Sequence, residues 1–314
     1  MQYRKIGSSD LEVSSICLGT WVFGGQCWGE VEDAQSVSVV EEAASRGINF
    51  IDTAPIYGGG RSEEVIGKAL KNISGDMIIA TKCGLEQKGS SIVANLSPAF
   101  IKGEVENSLR RLGREAIDLY QCHWPDEETP LEETFGEINK LIQEGKVRYI
   151  GVSNFNRQLM EEALCVAPIV SNQMQYSLFN RDIEESLVPL CREKGVSILS
   201  YGSLGGGILT GKYKKPPQVK KGDVKQFFYQ YYKEPFWSQV KEFVPVLEEI
   251  ASKHEAPTSD VAINWVLSSK EVASCIVGCR TPDQLAQNAQ AANWSLTEEE
   301  LKMIQSEYDR IFSS

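Results

Sequence analysis

Residues 48–82, INFIDTAPIYGGGRSEEVIGKALKNISGDMIIATK, decide the fold. The stretch opens on a short apolar run, Ile48–Asp52, and passes through a turn holding Pro55 and three glycines. It then enters a helical pattern over Ser62–Leu70 and leaves on a second β-branched run, Met77–Lys82. Short apolar runs bounded by turn residues read as buried strands, and the amphipathic segment between them reads as a crossover helix. A strand, a helix and a strand in that order make a parallel βαβ unit.

Working outward, the same alternation continues in both directions. Further strands are expected at Ile16–Gly19, Ile117–His123, Val147–Gly151, Ile169–Gln173, Val196–Tyr201 and Ser274–Val277. Helical patterns cover Ala34–Arg46, Pro98–Leu112, Leu131–Glu144, Arg157–Cys165, Ile183–Lys194, Trp237–His254 and Ser259–Leu267. Thr129-Pro130 and Thr281-Pro282 each combine a hydroxyl N-cap with a first-turn proline. Eight strands in one βα rhythm suggest a closed (β/α)8 TIM barrel, as a single domain over residues 1–314. An open doubly wound sheet fits less well, because closure removes edge strands. An N-terminal β-hairpin precedes the barrel, and an extra C-terminal helix, Thr297–Tyr308, follows it. Two connections stand out as candidate walls of a site: the polar segment Leu85–Ser97, and the long section Gly211–Pro235 with Phe227, Phe228, Tyr229, Tyr231 and Tyr232. The second either borders the mouth of a site or buries its aromatics elsewhere.

Composition narrows the function classes. The chain is 42% hydrophobic and 24% charged, which suits a compact core. Its net charge of -11, with no basic stripe, disfavours a nucleic-acid partner. No apolar stretch is long enough to span a membrane, and Met1–Lys5 does not open a signal peptide, so the expected location is cytoplasmic. The eight scattered cysteines read as reduced core thiols, and with only His123 and His254 no metal site is expected. Composition leaves monomer and homo-oligomer equally open.

In a barrel, chemistry gathers at the C-terminal ends of the strands. Asp52, Lys82 and His123 end the second, third and fourth expected strands, and Tyr57 lies in the turn after Asp52. Singly, each has an ordinary structural reading as a turn cap, a snorkelling lysine, a rim aromatic or a core histidine. Together they form a proton-donating set. A nearby ammonium should lower the phenol toward working pH, a carboxylate should hold that ammonium, and the imidazole could orient a carbonyl oxygen.

Four runs carry a resemblance to a known family: Asn49–Gly58 with Arg61-Ser62-Glu63, Ala80-Thr81-Lys82, Asp118–His123 and Ile150–Phe155. In this order, over nearly the whole chain, they resemble the aldo-keto reductase superfamily. The turn Gly60-Arg61-Ser62-Glu63 and the run His123-Trp124-Pro125-Asp126 look most like its bacterial general-stress and inositol-operon class. The resemblance implies a catalytic tetrad of Asp52, Tyr57, Lys82 and His123. It also implies reduction of aldehyde, ketone or sugar-derived carbonyls by hydride transfer from NADP(H), with NADPH preferred and NAD possible. For the cofactor it implies Gly19, Thr20, Trp21 and Asp52 near the nicotinamide, with Ser153, Asn154 and Gln173 on its carboxamide and Tyr201 stacked on its ring. Ser203, Leu204, Gly205, Gly207, Leu209 and Lys212 would cradle phosphate. Gly278, Arg280, Gln284, Gln287 and Asn288 would hold the adenosine end.

Arg280 is the one cation just after the eighth strand, where many relatives place a lysine-serine pair and a later arginine. The segment from Gly206 to Lys212 nearly spells a P-loop, but Tyr213 replaces the required hydroxyl residue, and no Rossmann glycine fingerprint is present. For the carbonyl substrate, Trp21, Tyr57, His123 and Trp124 are the expected contacts. Two other readings stay open: a cofactor-sensing regulatory barrel with little turnover, similar to potassium-channel accessory subunits, and a cofactor-independent isomerase or lyase.

Overall fold

The computed structural model describes residues 1–25, 31–218 and 230–312. Its centre is a closed barrel of eight parallel strands: β3 (Ile16–Gly19), β4 (Phe50–Asp52), β5 (Ile78–Cys83), β8 (Ile117–Cys122), β9 (Val147–Ser153), β10 (Ile169–Gln175), β11 (Ser197–Tyr201) and β12 (Val272–Gly278). Strand β12 pairs back onto β3 through Val277 opposite Leu18 and Gly278 opposite Gly19, which closes the ring. All eight strands expected from the sequence are present.

Two hydrophobic clusters follow from strand alternation, since successive side chains point to opposite faces. Inward-facing Cys17, Phe50, Ala80, Leu119 and Leu199 fill the barrel interior together with Ile6, Leu11 and Val13. These last three come from the N-terminal segment. There β1 (Tyr3–Lys5) and β2 (Glu12–Ser14) form the expected antiparallel hairpin, which plugs one end of the barrel. Outward-facing Leu18, Ile51, Ile79, Tyr120 and Val152 meet the apolar faces of the surrounding helices. The extra helix Glu298–Phe312 packs against the helix Phe236–Lys253.

Several local expectations change. The helix expected from Ile183 begins at Leu187, which puts Pro189 in its first turn, where the missing N–H costs no helical hydrogen bond. Thr129 does not cap its helix. Its hydroxyl donates to Asp126 Oδ2 at 2.7 Å, and Pro130 occupies the cap position instead. Thr281 does cap, accepting from the Gln284 N–H at 3.2 Å. The segment 85–97 is largely a second hairpin, β6 (Leu85–Lys88) with β7 (Ser91–Ala94), turned at Gly89 with φ 62°. A glycine followed by a serine between two short runs was the available signal. Cys165 is exposed on the helix Arg157–Val166, whereas the other described cysteines are buried, and Cys27 lies outside the described residues. Of the aromatics in the section after β11, Phe227, Phe228 and Tyr229 lie outside the described residues.

Candidate active site

Parallel pairing brings the polar strand ends to one level. Asp52 lies opposite both Gly19 and Ala80, Lys82 opposite Gln121, and Gln173 opposite Ser153. At that level a cavity of about 1170 Å³ opens at the barrel end, lined by Trp21, Tyr57, His123 and Trp124 and also by Gln284, Gln287 and Asn288.

At its floor, the Lys82 ammonium is wholly buried. It donates to Asp52 Oδ1 at 2.6 Å, to the Thr53 carbonyl at 3.0 Å and to Tyr57 Oη at 3.2 Å. Lys82 therefore lies behind the cavity wall and acts through Tyr57. The other carboxylate oxygen of Asp52 accepts from Gln173 Nε2 at 2.7 Å and Gln121 Nε2 at 3.2 Å. Gln121 went unnoticed in the sequence because its position, alternating inward on β8, becomes meaningful only through the register that sets it beside Lys82. The Tyr57 ring stacks on Trp21, with centroids 5.9 Å apart and planes 23° apart. It meets His123 edge-on at 5.8 Å.

The electrostatics differ from the sequence expectation at one point. Desolvation raises the Tyr57 phenol above its ordinary value; Lys82 pulls it down but does not win. Burial also works against the Lys82 ammonium, yet Asp52 and Tyr57 together raise its pKa, so it stays charged. Desolvation, aided by the charge of Lys82, holds His123 well below its usual range as a neutral imidazole. The site thus holds a protonated phenol backed by a fixed positive charge, beside an uncharged ring. That combination can donate a proton to an oxygen whose negative charge is developing.

Beyond the floor, Asn154 sits in the left-handed region at φ 61° and forms the centre of a small network. Its Nδ2 donates to the His123 carbonyl at 3.1 Å and to Ser153 Oγ at 3.0 Å, and its Oδ1 accepts from Tyr201 Oη at 2.8 Å. Ser153, Asn154, Gln173 and Tyr201 all reach the cavity.

After β11 the chain runs through a glycine-rich turn in which Gly206 and Gly207 have φ 67° and 97°, angles that side-chain-bearing residues avoid. Ser203, Leu204, Gly207 and Lys212 line the cavity here. Two expected contacts do not: Gly205 and Leu209 are buried beneath the turn, where the Leu209 side chain joins the apolar core. Tyr232 braces this turn by donating to the Gly206 carbonyl at 2.9 Å, while Tyr231 donates to the Phe179 carbonyl at 2.9 Å and packs on that ring. Both described tyrosines of the section are buried and neither lines the cavity.

After β12, Gly278, Arg280, Gln284, Gln287 and Asn288 also line the cavity. Gln284 Oε1 accepts from the Arg280 N–H at 2.9 Å, and Asn288 Nδ2 donates to Cys279 Sγ at 3.3 Å. Gly19 has no room for a side chain, since a Cβ there would come within 2.7 Å of Ile276.

The donor set fits a dinucleotide. Hydroxyl and amide groups at the strand ends match a carboxamide, and the glycine turn with Lys212 and Arg280 matches phosphates. The amides of Gln284, Gln287 and Asn288 match a purine edge. Among the described residues, no cluster of side chains could hold a metal ion, and no helix is long and apolar enough to cross a membrane.

Comparison with known proteins adds to this geometry. A family model described as the aldo/keto reductase family matches residues 15–309. The chain is 37% identical over 307 residues to aldo-keto reductase YhdN of Bacillus subtilis (strain 168), covering 97% of this chain and 92% of that protein. It is 32% identical over 317 residues to the NADH-specific methylglyoxal reductase of Escherichia coli (strain K12), covering 95% of each. Among solved structures, glycerol dehydrogenase AKR11B4 from Gluconobacter oxydans superposes with a TM-score of 0.93 at 36% identity, over 99% of this chain and 96% of that one.

Proposed function

The chain belongs to the aldo/keto reductase family and reduces carbonyl groups by hydride transfer from a nicotinamide cofactor, and on that premise we propose that it does so with Tyr57 as the proton donor and NADPH as the preferred cofactor. The observation that carries this reading is the contact of Tyr57 Oη with the buried Lys82 ammonium, itself locked to Asp52.

A bound reduced nicotinamide supplies the hydride. Ser153, Asn154 and Gln173 would hold its carboxamide, and Tyr201 would bear on its ring. Gln173 is suited to this because its Nε2 already donates to Asp52, which leaves its oxygen to accept from an amide N–H. Tyr57 and the neutral His123 would hold the substrate oxygen between them. As that oxygen gains negative charge, Tyr57 gives up its proton, and the charge of Lys82 stabilises the phenolate that remains. Lys82 is kept in place by Asp52, and Asp52 by Gln121 and Gln173.

Preference for NADPH rests on Arg280, an exposed residue that lines the cavity and whose backbone N–H donates to Gln284, and on Lys212. We also read residues 1–314 as one domain, place the chain in the cytoplasm, and assign it to the general-stress and inositol-operon class by its Gly60–Glu63 and His123–Asp126 runs. Incubating the protein with a panel of carbonyl compounds, and following oxidation of NADPH and NADH separately, tests the reading. Turnover with NADPH at lower cofactor concentration than with NADH is expected. Cofactor binding without turnover of any carbonyl would favour the regulatory barrel instead.

A further inference from the structure

The described residues expose only three large apolar side chains, and two of them, Ile92 at 53% and Trp124 at 39%, stand on the rim of the same cavity. The third, Tyr3, belongs to the N-terminal hairpin and satisfies its hydroxyl on the Gly47 carbonyl. A single exposed isoleucine needs no explanation, but an exposed apolar pair at one cavity mouth has the character of a surface that a ligand covers.

The hairpin shows how the wall is built. Side chains two apart on a strand share a face, so Ile92 and Ala94 of β7 lie on one side, and Leu85 stands opposite Ala94 across the ladder. All three line the cavity, giving an apolar strip that runs outward along the hairpin to Ile92. Trp21, Ile56 and Trp124 line the same cavity. The hairpin follows β5, the strand that carries Lys82. The two cations that line the cavity among the described residues, Lys212 and Arg280, follow β11 and β12, which lie across the barrel from β5 and β8. An anionic group lying against the hairpin would meet no described cavity-lining cation there.

We propose that the hairpin is the specificity element of this reductase, and that its substrate carries an uncharged, extended apolar body, an alkyl chain or aryl group, which lies along Leu85, Ala94 and Ile92 with Trp124 beside it. The inference rests on the reductase reading above and narrows it.

The test is kcat/KM with NADPH for straight-chain aldehydes from propanal to decanal, alongside methylglyoxal, glyceraldehyde and succinic semialdehyde. Specificity should rise about two- to fourfold per added methylene as each leaves water for the wall, until the chain passes the rim. Ile92→Ser should flatten that rise for the longer aldehydes. Ile92→Lys should shift preference toward an aldehyde bearing a terminal carboxylate, a gain that mere structural damage to the hairpin would not produce. In a second measurement, n-alkanols titrated against tryptophan fluorescence should bind more tightly with chain length in the wild type, and less steeply in Ile92→Ser. An active enzyme with a flat series, with its highest kcat/KM on methylglyoxal or glyceraldehyde, or with an unchanged slope in Ile92→Ser overturns this inference alone. A protein that reduces none of these compounds overturns the reductase reading with it.

Discussion

At the floor of the cavity, Asp52, Lys82 and Gln173 come from strands, are buried, and bond to one another at 2.6–2.7 Å. At the end proposed to hold the cofactor phosphates, Gly206, Gly207, Lys212 and Arg280 come from the connections after β11 and β12, and Arg280 is exposed. The floor is held by partners whose loss would leave a buried charge. The phosphate end is held by backbone conformation, and its cations face the cavity. Proton transfer needs fixed distances and a dry surround, whereas gripping phosphates needs close backbone approach and mobile charge, so one cavity combines two kinds of construction.

This contrast can be broken most easily at Lys82. Lys82→Met strands the Asp52 carboxylate in the barrel interior and should destabilise the protein by about 3–5 kcal/mol, the usual loss when one member of a buried pair is removed. Lys212→Met should stay within about 0.5 kcal/mol, as surface changes do. Urea unfolding of both variants is the measurement, and equal losses would erase the distinction between the two ends. Arg280→Ala sharpens it. NADPH affinity should fall about tenfold through loss of one charge-assisted contact, with NADH affinity little changed and stability unaltered. Titration of the two reduced cofactors into wild type and variant decides this, and an equal loss for both would remove Arg280 from recognition of the extra phosphate.

A smaller effect concerns the support of the hairpin beside the floor. Glu104 accepts from the Gly84 N–H at 2.7 Å, and burial pushes its carboxyl up to about 8 against an ordinary 4.5. Because the folded protein binds this proton more tightly than the unfolded chain, the contribution to stability is complete below about pH 4.5 and is lost as pH rises through about 8. Glu104→Gln should flatten the stability profile across that window in thermal unfolding. An unchanged profile would show that Glu104 is ionised throughout.

The floor was the more legible end in the sequence. Asp52, Lys82 and His123 sit at the ends of apolar runs, and period-2 alternation fixes where such residues emerge, so the tetrad is legible in the sequence. The direction of the Tyr57 shift could not be. A nearby lysine is visible in sequence order, but the desolvation that outweighs it depends on how deeply the ring is enclosed by Trp21 and His123. In the glycine turn, Ser203, Leu204, Gly207 and Lys212 line the cavity. Gly205 and Leu209 do not, because successive positive-φ glycines break the periodicity by which inside and outside are told apart. Gln121 acquires meaning only from Lys82 on a neighbouring strand, whereas the hairpin over 85–94 had a local signal in its Gly89-Ser90 turn.

The central claim is that the protonated phenol of Tyr57, backed by Lys82, is the acid that completes carbonyl reduction. Tyr57→Phe keeps the ring between Trp21 and His123 and removes only the hydroxyl, with its proton and the contact that its oxygen accepts from Lys82. Single-turnover and steady-state rates with a carbonyl substrate, measured beside NADPH titration and an unfolding curve, test this directly. The account predicts that kcat falls by about 10²–10⁴, the usual worth of a positioned general acid, with cofactor affinity and stability little changed. A variant that keeps near-wild-type turnover with its fold and cofactor binding intact would contradict the account and make His123 the first candidate for the acid.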